Sequence, residues 1–197
     1  MTMELVLAQD LCARLCHDLV GPLGTVGGAM ALLEEEPEAA ELAQEAAGVL
    51  RRRLEFWRAA CGAGTGPLDL ATIGTLVEGV LAGGRARLDS AALPPDRVLP
   101  AQVAQLLLVA AMLAAEGLPR GGVVRLAAEG GESLALRLEG TQAAWPATLA
   151  TALEGQSGPG PRAVLGAMLP RLAGLAGWTA RMVPEPGLPV LVLSPAG

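Results

Sequence analysis

Lysine, asparagine and tyrosine are absent from this 197-residue chain. Any mechanism that requires a lysine or an asparagine is therefore excluded outright. All 14 basic residues are arginine, set against 20 acidic ones, for a formal net charge of −6. The single Phe and the three Trp are scattered. A nucleic-acid binder shows a basic stripe, often with interleaved aromatics, and neither is present. The acidic balance also argues against an anionic membrane surface as partner. Three cysteines, Cys12, Cys16 and Cys61, are too few and of the wrong parity for a disulfide framework, and fit reduced thiols. The start, Met1-Thr2-Met3-Glu4, lacks the basic region of a secretory signal. The most apolar stretch, Val103 to Ala115, contains Gln105 and falls short of the roughly 20 residues that span a bilayer. The expectation is a cytoplasmic protein without membrane or nucleic-acid partners.

What is present is apolar: 52% of the residues are hydrophobic, ample for one large core or two small ones. Over residues 4–62 the pattern is that of a helical hairpin. Leu5, Ala8, Cys12, Leu15, Leu19, Pro22, Val26, Ala29 and Leu33 alternate spacings of three and four, an a/d seam of about four heptads. A polar turn follows at Glu34-Glu35-Glu36-Pro37-Glu38. A second seam then runs through Ala43, Ala47, Leu50, Leu54, Trp57 and Cys61. Two helices bury two seams poorly, and the simplest completion is a second copy, giving a homodimer built on a four-helix bundle. Residues 62–67, rich in glycine, read as a linker between a hairpin domain, 1–63, and a second domain, 67–197.

The second domain reads as α+β. Asp69 or Thr72 caps a helix running to about Leu81, and Arg85 to Asp89 forms a short strand. Pro100 to Gly117 is an apolar helix with Pro119 just beyond it. Val123 to Ala128 and Ser133 to Leu138 alternate with period two across Glu129-Gly130-Gly131-Glu132, a hairpin signal. Pro146 to Leu153 and Arg162 to Leu175 are further helices, the latter bent or broken by Pro170. Trp178 to Val183 and Leu188 to Leu193 close the sheet, which is mostly antiparallel with helices on one face.

The single histidine, His17, lies in Cys16-His17-Asp18-Leu19-Val20-Gly21-Pro22-Leu23-Gly24. With Cys12 at a and Leu15 at d, His17 falls at f, directed away from the bundle core. An exposed imidazole has a substantial neutral fraction at cytoplasmic pH, and a neutral ring nitrogen is a competent nucleophile toward phosphorus. Asp18 is placed to accept a hydrogen bond from Nδ1–H, or to assist proton transfer. Gly21 and Gly24 share the helical face of His17 and clear a shelf beside it. The docking face expected for another globular domain comprises Arg14, Val20, Gly21, Gly24, Thr25 and Gly28. Glycine inside a helix costs roughly 1 kcal/mol against alanine. Pro22 removes the hydrogen bond to the Asp18 carbonyl and should bend the helix.

Other signals carry less. Cys12-Ala13-Arg14-Leu15-Cys16-His17 is one residue longer than a haem attachment site, and one helix does not supply a four-ligand metal shell. Neither a metal nor a cofactor is expected. Gly158-Pro159-Gly160-Pro161-Arg162 resembles a phosphate loop, but its prolines remove amide donors, so it reads as a surface loop. Arg51-Arg52-Arg53 and Arg58 read mostly as a solvated helix face, the alternative being pairing with an acidic partner.

The stretch Leu15 to Gly24 resembles the H-box of histidine kinase dimerisation domains, and more closely its variant in ChpT-type bacterial histidine phosphotransferases. Leu106 to Gly122 looks like that family's degenerate version of the kinase helix bearing the N-box. The resemblance implies a dimeric four-helix bundle followed by an α/β sandwich like a degenerate histidine kinase ATPase domain. It implies that His17 carries phosphate on Nε2 between aspartates in receiver domains of a hybrid histidine kinase and of response regulators. An N-box holds magnesium through asparagine, which this chain lacks, and Leu138-Glu139-Gly140-Thr141-Gln142 does not fit the adenine-binding D-x-G-x-G motif. ATP binding is therefore not expected, and the Mg2+ is that of the partner receiver. The alternatives are an ATP-dependent histidine kinase and a non-catalytic dimeric adaptor.

Overall fold

The computed structural model describes residues 2–34, 36–156 and 158–197. Met1 of the N-terminal run and Glu35 of the predicted turn lie outside the described residues. Helix α1, Met3–Ala31, and helix α2, Ala39–Cys61, form the hairpin. α1 is continuous across Pro22, which is buried. The loop that follows is tied rather than loose. Thr65 Oγ1 donates to the Ala59 carbonyl at 3.0 Å, and Gln105 Nε2 donates to the Gly62 carbonyl at 3.0 Å. Gln105, which interrupts the most apolar run of the sequence, is thus the hydrogen-bonding contact between that run and the loop.

Strand β1, Leu68–Asp69, leads into α3, Leu70–Leu81. Asp69 is the N-cap, its carboxylate accepting from the Thr72 amide at 2.7 Å. That contact satisfies one of the orphan donors of the first turn and holds the Asp69 carboxyl below its usual pKa. Strand β2, Ala86–Asp89, is followed by β3, Val98–Leu99, which pairs antiparallel with β1. Helix α4, Ala101–Glu116, buries eleven of its 16 residues. The remaining elements are β4, Gly122–Ala128; β5, Leu134–Glu139; α5, Ala147–Leu153; α6, Val164–Leu175; β6, Trp178–Val183; and β7, Val190–Pro195.

The main sheet has the order β2-β4-β5-β7-β6, with β2 and β4 parallel and every other pair antiparallel. Period-two patterning divides its faces. Leu134, Leu136 and Leu138 of β5 join Leu191 and Leu193 in the main core beneath α4 and α6. Ala135, Val190 and Val192 form a small separate cluster on the other side. Helix α6 runs unbroken through Pro170, contrary to one expectation from the sequence. Leu165, Ala167, Leu169 and Ala173 are buried along it, and this packing outweighs the lost backbone hydrogen bond. α5 and α6 approach closely: a Cβ on Gly166 would stand 2.8 Å from the Thr148 carbonyl oxygen.

The main core extends into the hairpin. Phe56, Trp57 and Ala60 of α2 belong to it, and Leu7, Leu11 and Leu15 of α1 pack against it. The a/d seam is therefore shared between two neighbours. Pro22 and Ala29 are buried, and Leu15, Leu19 and Val26 are half-buried, whereas Leu5, Ala8, Cys12 and Leu33 remain exposed. Among the described residues, no helix is long and apolar enough to cross a membrane.

Candidate functional site

α1 carries His17 to solvent, its side chain 83% exposed. Nδ1 lies 3.2 Å from Asp18 Oδ1, so a ring protonated on Nδ1 donates to that carboxylate and leaves Nε2 with a free lone pair. Asp18 is itself held. Its Oδ2 accepts from Arg14 Nε at 3.1 Å, one helical turn back. Arg14 Nη2 in turn donates to Glu116 Oε1 at 2.7 Å, and its guanidinium lies 6.0 Å from the Trp57 ring centroid. One cation is thus shared by two carboxylates, and all three groups are largely covered, their side chains 14%, 16% and 25% exposed for Arg14, Asp18 and Glu116.

Burial by itself lowers the Arg14 pKa. The charges of Glu116 and Asp18 and the hydrogen bonds to them outweigh it, so Arg14 stays firmly cationic. Desolvation raises the Glu116 pKa, the nearby Asp18 charge adds to the rise, and Arg14 opposes it. Glu116 is the last residue of α4, where an acid opposes the helix dipole and the last turn has no base of its own. Arg14 supplies that base from a different helix.

Pro22 has no N–H to offer the Asp18 carbonyl one turn back. Arg53 of α2 fills the vacancy, Nη1 donating to the Asp18 carbonyl oxygen. This corrects the reading of a solvated face at Arg52 and Arg53, whereas Arg51 and Arg58 are exposed as expected. Arg53 is half-buried against α1, and the Arg52 side chain packs within 3.3 Å of the Cβ position of Gly79 in α3. The reason is that the C-terminal part of α2 packs against α1, α3 and α4, and Arg52 and Arg53 lie on the covered side while Arg51, Leu54, Glu55 and Arg58 face water.

A cleft of about 550 Å3 opens beside His17, lined by Arg14, Asp18, Glu116, Thr148, Pro161 and Arg162 among others. The loop at 158–162, set aside above as surface, reaches this cleft because Gly160 N–H donates to Asp10 Oδ2 of α1 at 2.9 Å. Of the expected docking residues, Arg14 faces inward to its ion pairs. Val20, Gly21, Gly24, Thr25 and Gly28 are exposed, Val20 to 64%. Thr25 Oγ1 donates to the Gly21 carbonyl at 3.2 Å. A Cβ on Gly21, Gly24, Gly27 or Gly28 would meet nothing within 4 Å, so these glycines answer no packing need within the chain. Glu116 was not singled out from sequence, and Arg53 and Arg162 were named there only in a helix face and a loop that were given no role. The one available signal for Arg53 was the missing N–H of Pro22, which leaves a carbonyl in need of a donor. Among the described residues there is no cluster of three or more His, Cys, Asp or Glu side chains able to hold a metal.

A solved bacterial phosphotransferase superposes with a TM-score of 0.81 over 98% of both chains at 22% identity, which establishes the shared fold. Protein phosphotransferase ChpT of Brucella abortus (strain 2308) is 32% identical over 140 residues, 68% of this chain. The matched region spans 62% of that relative's length. Residues 70–185 match the family model of the histidine phosphotransferase C-terminal domain; His17 lies outside that span. With more than half of its length matched, this chain belongs to the histidine phosphotransferase C-terminal domain family.

Proposed function

We propose that the chain is a phosphorelay histidine phosphotransferase that carries a phosphoryl group on His17. The observation that supports this most directly is the sole imidazole of the chain, 83% exposed, tethered at Nδ1 and free at Nε2, on a helix face cleared by glycines. Each of those glycines weakens the helix by roughly 1 kcal/mol against alanine. With no contact inside the chain to require them, they are best accounted for by close approach of another protein.

In this reading a phosphorylated receiver domain of a hybrid kinase or response regulator, with its own Mg2+, docks on the face formed by Val20, Gly21, Gly24, Thr25 and Gly28. Nε2 of neutral His17 attacks phosphorus in line. The P–N bond forms as the P–O bond to the receiver aspartate breaks, and the aspartate leaves as a carboxylate. Nδ1 keeps its proton, and Asp18 stabilises the positive charge that develops on the ring. A second receiver aspartate takes the phosphoryl group by the reverse path. The receiver supplies most of the electrostatics, and this chain supplies position and a nucleophile. Exposed Leu5, Leu23 and Met30 of α1 with Leu42 and Leu54 of α2 are the apolar surface through which two copies would complete a four-helix bundle in the cytoplasm.

Incubation with a phosphorylated receiver domain should label His17, and His17→Ala should abolish relay. A normally relaying Ala variant defeats the reading. Heat on titration with Mg-ATP would instead favour an ATP-dependent kinase. Receiver binding with no phosphorylated species, insensitive to His17→Ala, would leave an adaptor.

A further inference from the structure

We propose that Glu116 is a positioning residue for His17: through Arg14 it fixes Asp18, and Asp18 fixes the imidazole. The inference rests on the reading of His17 as phosphoacceptor, and it gives the second half of the chain a part in the chemistry.

Asp18 sits on the same exposed helix as His17, and a free carboxylate there would turn about its side-chain bonds and spend much of its time hydrogen-bonded to water. It is not free. Oδ2 is engaged by Arg14 Nε at 3.1 Å, which directs Oδ1 to His17 Nδ1 at 3.2 Å. Arg14 alone is a long side chain with four rotatable bonds and considerable entropy to lose. Its guanidinium is held at a second point by Glu116 Oε1 at 2.7 Å and covered by the Trp57 ring at 6.0 Å. Glu116 ends α4, the most buried helix of the molecule, eleven of whose 16 residues are core. A rigid element thus anchors the fork, and the fork orients the carboxylate beside the nucleophile.

Charge acts in the same direction. Arg14 by itself would neutralise Asp18 and weaken its hold on the imidazole N–H. The carboxylate of Glu116 offsets Arg14, so the trio carries one net negative charge next to Nδ1. Negative charge there favours the tautomer protonated on Nδ1 and supports the positive ring formed as Nε2 bonds to phosphorus.

Because His17 is the only histidine, its ring nitrogens are resolved without interference in the intact protein. In 15N-labelled full-length chain, two-bond nitrogen–proton correlations at alkaline pH should show the Nδ1–H tautomer dominant, with Glu116→Gln shifting the ring toward an even mixture. Phosphorylation of His17 by phosphoramidate, which passes its phosphoryl group to Nε2 and releases ammonia, should slow about tenfold in Glu116→Gln, within the loss typical of removing an outer-shell partner. In an Arg14→Gln background Glu116→Gln should add no further loss, because both act along one path. Wild-type tautomer and rate in Glu116→Gln overturn the proposal, as does a loss that adds fully to that of Arg14→Gln. Should Glu116→Gln fail to fold, the double variant Arg14→Met with Glu116→Met removes the pair without orphaning either charge, and a retained Nδ1–H tautomer there overturns it equally. The tautomer measurement needs no phosphodonor, so failure of His17 to accept phosphate at all would be seen separately, as failure of the functional reading.

Discussion

Helix α4 buries eleven of its 16 residues within the chain, whereas α1, at 29 residues, buries only Pro22 and Ala29. Both are strongly apolar, so the difference lies in where the covering surface comes from. α4 is roofed on all sides by the sheet, α2, α3 and α6, and needs nothing further. α1 receives α2 along one side and the core of the second half along part of another. Leu5, Val20, Leu23 and Met30 are left 49%, 64%, 57% and 60% exposed. The exposed apolar residues and four glycines of α1 form the surface that the proposed docking and dimer contacts would cover. The same exposure keeps His17 reachable, and the anchoring of Arg14 on α4 keeps its neighbourhood ordered.

The core and the surface of α1 should respond oppositely to substitution. Leu136→Ala, at a fully buried position of β5, should lower the unfolding free energy by about 3 kcal/mol and leave the oligomeric state unchanged. Leu23→Asp combined with Leu54→Asp should do the converse, leaving the far-UV circular dichroism of the fold while reducing the solution mass to that of one 19.9 kDa chain. A wild-type protein already running at that mass in light scattering would remove the contrast between the helices.

The joint between the two halves is tested next by pH. Burial pushes the Cys61 thiol, at the end of α2, from 9.0 up to about 11. A folded pKa above the unfolded one means that the native state binds the proton more tightly. The stability this confers is complete below pH 9 and is lost as pH rises through about 11. With no lysine or tyrosine in the chain, few other side chains titrate in that window. Urea midpoints under reducing conditions should fall between pH 9 and 11 by the equivalent of roughly 2 kcal/mol. Cys61→Ala should flatten the fall; an unchanged slope would place the titration elsewhere.

The smallest effect concerns the splice of α2 onto α1. Arg53→Ala leaves the Asp18 carbonyl without its donor and should destabilise by about 1 kcal/mol in thermal melts. Pro22→Ala restores a backbone N–H one turn on, so Arg53→Ala should be nearly silent in that background. Equal losses in both backgrounds would show that Arg53 acts by some other contact.

Most of the secondary structure was legible because it is written locally. The period of α1 and α2, the Asp69 cap, the Gly117 stop and the β4–β5 alternation are all carried by residues within a few positions of one another. The β1–β3 pair was not, since strands of two residues have no period to detect. Pro170 does not break α6, because the local cost of a proline was outweighed by packing that involves the whole core. At the site, the spacing from His17 to Gly21 and Gly24 lies on one helix and was read correctly, whereas Arg14 was assigned to the docking face and instead turns inward to Asp18 and Glu116. The Arg14–Glu116 pair joins residues 102 apart in sequence, and the Asp10–Gly160 contact joins residues 150 apart.

The amino-acid sequence by itself determined the candidate nucleophile, its neighbouring acid, the glycine-lined face and the lack of asparagine and lysine, because each is a property of composition or of a single helix. Only the tertiary structure decided that Arg53 completes the backbone at Pro22, that the loop bearing Arg162 closes one side of the cleft, and that Glu116 stands behind Arg14. These depend on how α1 seats against α2, α4 and α6. That seating is set by the half-buried Leu7, Leu11 and Leu15 packing against the core that holds Phe56 and Trp57, a collective free energy that no short stretch of chain encodes.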